Sequence, residues 1–320
     1  MSAVEGKPRT GKAPEVVCFG ILVADLVGTG ISALPERGRM TYARGMELSV
    51  GGCAANSAIA LARLGVSVAV VGKVGRDPLG DFMVARLQRD GVDVTSVRRD
   101  ASSGTSATMV IVAEDGERSF IHYRGANASL DLDDVPWDAV SRSRILHVAG
   151  THVMPSLDGE PTGRLLHLAK ERGLMTSLDT TWDATGTWRA IPERAFADLD
   201  VFLPSIEEAR AMTGRHEAGE VARLFLERGV GIVALKMGEQ GCLVMTPHET
   251  LRLPAFKVRV LDTTGAGDAF AGGFLAGLAK GWDLHRTARL ATAAGACCVE
   301  ETGATTGLPS LERVVERFGI

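Results

Sequence analysis

Asp262-Thr263-Thr264-Gly265-Ala266-Gly267-Asp268, running into Ala269-Phe270-Ala271-Gly272-Gly273-Phe274, decides how this 320-residue chain is read. A glycine-rich loop leads straight into a run of small and apolar residues with helical character. Gly265 and Gly267 let successive backbone N–H groups converge without interference from a Cβ. The helix start adds unsatisfied N–H donors and a partial positive charge. Such a loop binds an anion, phosphate above all. An aspartate in the same loop would repel a phosphate. Asp268 makes chemical sense there if it accepts a proton from an attacking hydroxyl, because phosphoryl transfer needs positioning, charge neutralisation and one carboxylate to orient the nucleophile. Taken alone, the loop reads equally well as a tight turn with Asp268 capping a helix. It is neither the GxxxxGK[ST] phosphate loop nor the GxGxxG pattern.

The flanking chain alternates strand and helix. Residues 16–23 are a nearly continuous apolar run ending near Asp25, which predicts a buried strand with a carboxylate at its carboxyl end. Residues 54–64 predict a helix stopped by Gly65, and 66–71 a second buried strand. Leu79, Phe82, Met83 and Leu87 fall at helical spacing before Gly91. Further strands are expected at 145–149, 175–179, 200–203, 232–236 and 242–246, with helices at 267–280 and 284–300. This order predicts a mostly parallel sheet with helices on both faces. Two segments, 39–50 and 105–124, break the rhythm. In the second, 109–112 and 119–123 flank Glu114-Asp115-Gly116-Glu117, a strong hairpin signal. These segments predict a small β-sheet outside the main domain. It must pack on that domain, on a ligand or on a second subunit, because so small a sheet is not stable alone.

Composition sets the outer bounds. Apolar residues are 45% of the chain, enough for a full-sized core. Acids outnumber bases 39 to 35, a net charge of −4, and no Lys/Arg cluster appears, which argues against nucleic acid as a partner. No apolar stretch reaches the ~18 residues needed to span a bilayer, so no membrane partner is expected. Residues 1–14 lack the apolar core of a secretory signal and read as a loose tail. Cys18, Cys53, Cys242, Cys297 and Cys298 fit neither a CxxC motif nor a disulfide framework, which predicts a reducing, cytoplasmic location.

A second segment, Gly51-Gly52-Cys53-Ala54-Ala55-Asn56-Ser57-Ala58, precedes the first helix, with Gly65 and Gly75 beyond it. Paired glycines, small residues and Asn here, with D-T-x-G-A-G-D about 210 residues later, resemble the two signatures of the ribokinase-like (PfkB) carbohydrate kinases. The resemblance covers about residues 16–308. It implies a three-layer α/β fold, with a mostly parallel central sheet and a small β-sheet lid. Residues 15–320 would form a single domain, with lid segments at about 36–50 and 105–125.

By resemblance, Asp268 is the catalytic base and the N–H groups of Gly265, Ala266, Gly267 and Asp268 form the anion hole. Asp25, Gly51, Gly52 and Asn56 would hold the sugar, with Arg124 at the end of the lid hairpin as a further contact. Ser205-Ile206-Glu207-Glu208 aligns with the family's N-x-x-E motif, which places Glu208 at Mg2+ and leaves Ser205 a hydroxyl where an amide is usual. Lys236, Gly238 and Gly241 match the strand–turn that packs on the nucleotide, Lys236 standing where Thr or Ser is common. Thr292 falls among the nucleotide-side positions. Asp262 and Thr264 resemble the loop that binds K+ in many relatives, with carbonyls from 299–303. ATP and Mg2+ are the implied cofactors, and a homodimer through the lid the implied assembly.

The acceptor is less legible. Many sugar kinases of this family carry D-x-N-x-R after a middle strand, whereas this chain has Asp179-Thr180-Thr181-Trp182-Asp183. An acid in the Arg position argues for a neutral sugar or polyol, since an anionic sugar would want Arg or Lys there. Trp182 and Trp188 could stack on a sugar or base face, although large aromatics usually pack in cores. A nucleoside kinase is the nearest alternative, and a non-catalytic ligand-binding relative the next. Retention of Asp268 counts against the latter, and no GxGxxG follows the first strand to suggest a dinucleotide-dependent oxidoreductase.

Overall fold

The apolar run at 16–23 is not one strand. In the computed structural model, which describes residues 13–114 and 117–320, it breaks after Gly20. Residues 1–12 of the expected tail and Asp115-Gly116 of the expected hairpin turn lie outside the described residues.

In chain order the strands are β1 (Val16–Gly20), β2 (Val23–Ile31), β3 (Gly45–Gly51), β4 (Val68–Gly75), β5 (Val97–Asp100), β6 (Ala107–Ala113) and β7 (Arg118–Tyr123). They continue with β8 (Ile145–Thr151), β9 (Met175–Thr180), β10 (Val201–Phe202), β11 (Ile232–Lys236), β12 (Cys242–Met245) and β13 (Thr250–Leu253). The helices are α1 (Cys53–Arg63), α2 (Pro78–Arg89), α3 (Trp137–Val140), α4 (Glu160–Glu171), α5 (Ile206–Thr213), α6 (Ala218–Glu227), α7 (Ala266–Ala279), α8 (Leu284–Cys298) and α9 (Leu311–Phe318).

The nine-stranded sheet runs β13-β12-β11-β10-β9-β8-β1-β4-β5. Every pairing from β11 to β5 is parallel, and β12 and β13 add an antiparallel edge. Strand alternation divides the apolar residues between two cores. Val16 and Cys18 of β1 face α1, α2, α7 and α8, whereas Val17 and Phe19 face α4, α5 and α6. On the first face α7 packs tightly on α1 and α8 through small residues. A Cβ on Gly272 would lie 2.6 Å from the Ala60 Cβ, and one on Gly273 2.8 Å from the Ala291 Cα. Helix starts follow local chemistry. Asp77 caps α2 through Gly80 N, with Pro78 in the first turn, and Ser205 and Glu208 form a reciprocal capping box on α5.

The second sheet has order β3-β2-β6-β7, with β2–β6 parallel and both outer pairs antiparallel. β6 and β7 fall within 105–125, the second of the two segments that break the strand–helix rhythm. The first needs correction. Within 39–50 strand structure begins only at Gly45, and the sheet also takes in β2, whose first residue, Val23, reads from the sequence as the end of a main-sheet strand. The physical reason lies at Leu22, between β1 and β2. The buried Asn127 amide accepts from Leu22 N at 3.2 Å and donates to Leu22 O at 3.0 Å, satisfying backbone that neither sheet pairs. An apolar run carries no mark of a break filled by a distant side chain. Asp25 therefore sits within the small sheet and not at the end of a main-sheet strand.

Candidate active site

The register of the small sheet puts Asp25 of β2, Thr108 and Val110 of β6, and Arg118, Phe120 and His122 of β7 on one face. Asp25 and Thr108 are directly paired, as are Thr108 and His122. The Thr108 hydroxyl lies 3.1 Å from His122 Nδ1 and also hydrogen-bonds to Asp25. Burial raises the Asp25 carboxyl to about 6, Thr108 works against the rise, and the negative charge of Asp268 adds to it. The two carboxylates are thus near enough to interact, one on the small sheet and one at the start of α7. Gly51 is required there: a Cβ on it would lie 1.9 Å from Asp25 Oδ2. Gly52, with φ +90, then begins α1.

Asn56, on the buried face of α1, reaches the other wall. Its Nδ2 donates to Asp268 Oδ2 at 2.7 Å, across 212 residues of sequence. Asp268 lies in the first turn of α7, whose N-cap is Gly265 in the left-handed region at φ +76. Ala304 fills the space a Gly265 Cβ would need, 2.5 Å away, so glycine is demanded by both conformation and packing. The first turn of a helix leaves N–H groups without intrahelical acceptors, here at Ala266, Gly267 and Asp268. Ala266 N also makes a long 3.3 Å contact to Thr263 O. Burial pushes the Asp268 carboxyl above the ordinary range, and Asn56, Lys236 and Cys53 oppose that push.

Lys236 ends β11 with its ammonium beside this turn, 3.3 Å from where a Gly267 Cβ would be. It is paired to Asp179 Oδ1 at 2.5 Å. Burial works against its charge, but Asp179, Glu208 and Asp268 more than offset that and hold Lys236 protonated. Burial pushes Asp179 up to about 7. Glu208 Oε2 accepts from Ser205 N at 2.9 Å and from the Thr180 hydroxyl at 2.8 Å. Ser205 is spent as the N-cap of α5, its hydroxyl accepting from Glu208 N. Gly238 and Gly241 bracket the turn from β11 to β12.

Thus Asp25, Gly51, Gly52, Asn56, Lys236, Glu208 and residues 265–268 converge. Arg124 lies exposed at the exit of β7; burial lowers the His122 imidazole and the Arg124 charge adds to that, whereas burial raises Asp158 to about 6 with Arg124 a minor opposing influence. Thr292 needs correction. It is buried on α8, with its hydroxyl donated to Ala288 O at 2.9 Å and next to the Cys242 thiol, so it offers nothing to a nucleotide. Asp262 and Thr264 also differ from expectation. Asp262 Oδ1 accepts from Thr264 N at 2.9 Å and from Arg118 at 2.7 Å, and Oδ2 from Gly303 N at 2.9 Å. The Thr264 hydroxyl is taken by Arg118 as well. These side chains are saturated by donors, so they fit a bound K+ poorly.

Sequence reasoning missed Asp179, Thr108, His122 and Arg118 as site residues. Period-two alternation along the hairpin puts the last three on one face, but only the β2–β6 pairing brings that face to Asp25. It also overread Asp183. That carboxylate accepts from Thr185 N, the Thr185 and Thr187 hydroxyls and Trp188 N, and so folds back onto its own turn.

Among the described residues, no three His, Cys, Asp or Glu side chains form a metal cage, and no helix is long and apolar enough to cross a membrane.

The pfkB family of carbohydrate kinases matches residues 13–311. An uncharacterized sugar kinase from Archaeoglobus fulgidus is 32% identical over 257 residues, covering 78% of this chain and 98% of that protein. The 5-dehydro-2-deoxygluconokinase of Clostridium perfringens is 29% identical over 292 residues, covering 87% of this chain and 86% of that protein. The structure of ribokinase from Arabidopsis thaliana, complexed with ribose and ATP, is similar at TM-score 0.85 and 25% identity, covering 96% of this chain and 99% of that one. The two sheets, their three-layer packing and both signature segments agree with these matches: the chain belongs to the pfkB family of carbohydrate kinases and has the ribokinase fold.

Proposed function

We propose that this kinase transfers the γ-phosphoryl group of ATP to a hydroxyl of a small neutral sugar or polyol, with Asp268 as the base. The observation that carries this is the 2.7 Å hydrogen bond from Asn56 to Asp268. It joins the two signature segments at one carboxylate and fixes Oδ2, leaving Oδ1 to take the proton of an attacking hydroxyl. Asp25 and Asn56 orient the acceptor on one side. The first-turn N–H groups of α7 and the Lys236 ammonium meet the phosphate on the other.

A divalent cation fits this site. Asp179, Glu208 and Asp268 surround a single ammonium, an excess of negative charge that a polyphosphate would not enter unaided. Mg2+ needs one or two carboxylates and completes its shell with phosphate and water, so no protein cage is required. Glu208 and Asp179 would hold it. It would supply charge neutralisation between the phosphates.

The neutral acceptor follows from Asp25 and Asp268, which would repel an anionic one. The small sheet serves as the lid that excludes water, with Arg124 at its acceptor side. A nucleoside is the second acceptor class, favoured by Trp182, which is 61% exposed and held edge-on by Trp188 at 5.1 Å. The outer face of the lid carries Met46, Met109, Ile121 and Tyr123, all more than half exposed, and we assign it to a second copy of the chain. The free thiols fit a cytoplasmic setting.

An ADP-release screen across neutral sugars, polyols, sugar acids and nucleosides tests the assignment. Asp268→Asn should lower kcat by about 10²- to 10⁴-fold on the best acceptor while ATP and acceptor still bind. Turnover within a few-fold of wild type in that variant removes Asp268 as the base. Sugar acids outranking neutral sugars would overturn the acceptor class.

A further inference from the structure

Arg118 opens β7 on the face of the small sheet that carries Asp25. Its guanidinium reaches from the small sheet to the phosphate-binding loop and makes three contacts there, on three successive residues. NH1 donates to Asp262 Oδ1 at 2.7 Å and to the Thr264 hydroxyl, and NH2 donates to the Thr263 hydroxyl at 2.8 Å. This is more than a solvated surface pair: the two side chains are 29% and 16% exposed, and a planar fork fixes direction as well as distance.

Asp262 poses an electrostatic problem that this contact answers. Its carboxylate staples the turn by accepting from Thr264 N and Gly303 N, but it also places a negative charge three residues before the left-handed Gly265 that opens the anion hole. A phosphate arriving at α7 would feel that charge. A monovalent cation on Asp262 would cancel it, yet the carboxylate is already filled by donors, one of them cationic.

We propose that Arg118 is a positioning residue for phosphate transfer: from the small sheet it neutralises Asp262 and fixes the 262–265 turn, so that the anion hole is set without a monovalent cation. The proposal rests on the kinase assignment above. It also couples the two half-sites, because the sheet that holds the acceptor through Asp25 sets the loop that holds the phosphate.

The test is calorimetric binding of a non-hydrolysable ATP analogue with Mg2+, in KCl and in N-methylglucamine chloride of equal ionic strength, with amide hydrogen exchange of residues 262–265. Wild type should bind equally within about twofold in both salts. Arg118→Ala should bind about 10- to 100-fold more weakly and exchange faster across 262–265, and Arg118→Lys should fall between. Wild-type affinity that collapses without K+ overturns the proposal, as does wild-type affinity in Arg118→Ala. If Arg118→Ala does not fold, Arg118→Lys and the salt comparison on wild type still decide. A wild type that binds no nucleotide in either salt defeats the kinase assignment instead. In that case the exchange rates still judge the clasp, and unchanged rates in Arg118→Ala would sink it.

Discussion

Asp25 is held in the cleft at a cost to the fold. Burial raises its carboxyl from the ordinary range to about 6. A carboxyl whose folded pKa is raised stabilises the protein below its unfolded pKa, and that contribution is lost as pH rises through the folded value. Above pH 6 the ionised Asp25 therefore opposes folding, although the ionised form makes the stronger, charge-assisted hydrogen bonds to acceptor hydroxyls. We expect kcat/KM for the acceptor to climb with pH through an apparent pKa of about 6, and that limb to shift in Asp25→Asn, where Asp268 alone remains to define it. The same variant should melt at a higher temperature than wild type at pH 8 but not at pH 4. An unchanged pH limb in Asp25→Asn would remove Asp25 from the acceptor site. Residues of this kind were only partly legible. Asn56 and Asp268 stand in signature segments and Asp25 follows the first apolar run, whereas Asp179, Thr108 and Arg118 are ordinary strand residues whose importance arises from register. Asp183 misled because sequence shows a charge but not which way its side chain folds.

At the scale of elements, the loop entering α7 was readable because glycine, helix start and carboxylate act locally. The paired-glycine turn was readable for its presence and not for its reason. Gly51 is there so that Asp25 can lie over it. Gly51→Ala would drive a methyl into Asp25 Oδ2, 1.9 Å away, and displace that carboxylate. Losing a charge-assisted hydrogen bond of this type should raise the acceptor KM by about tenfold or more, with the KM for ATP little changed. Equal rises in both constants would mean that the turn supports α1 generally and not Asp25. The break between β1 and β2 was not readable at all. Continuous apolar character says that a segment is buried, but not in which sheet.

The architecture of the whole molecule followed from alternation, and the nine-stranded sheet and its two cores confirm it. The proposed assembly rests on a different signal, the apolar outer face of the small sheet. Met109 and Ile121 are paired across β6 and β7 and point away from Asp25. Replacing both with Lys should convert a dimer to a monomer in sedimentation or light scattering at micromolar protein. A monomeric wild type would leave the face without the partner assigned to it.

The joint at Leu22 has a mechanical meaning. Asn127 clamps both backbone groups of Leu22, and its own N–H reaches the Ser106 hydroxyl at 3.2 Å, which in turn donates to Arg124 O. Ala24 N donates to Ser106 O at 2.9 Å. The roots of β2, β6 and β7 are thus bolted to one buried residue, Asn127, while the start of β7, paired to β6, is tied to the 262–264 loop by the Arg118 fork. A plate fixed at one edge and latched at the other opens by releasing the latch and flexing along its length. Admission of the acceptor should then be governed at the tip of the small sheet, with its base acting as a fixed fulcrum.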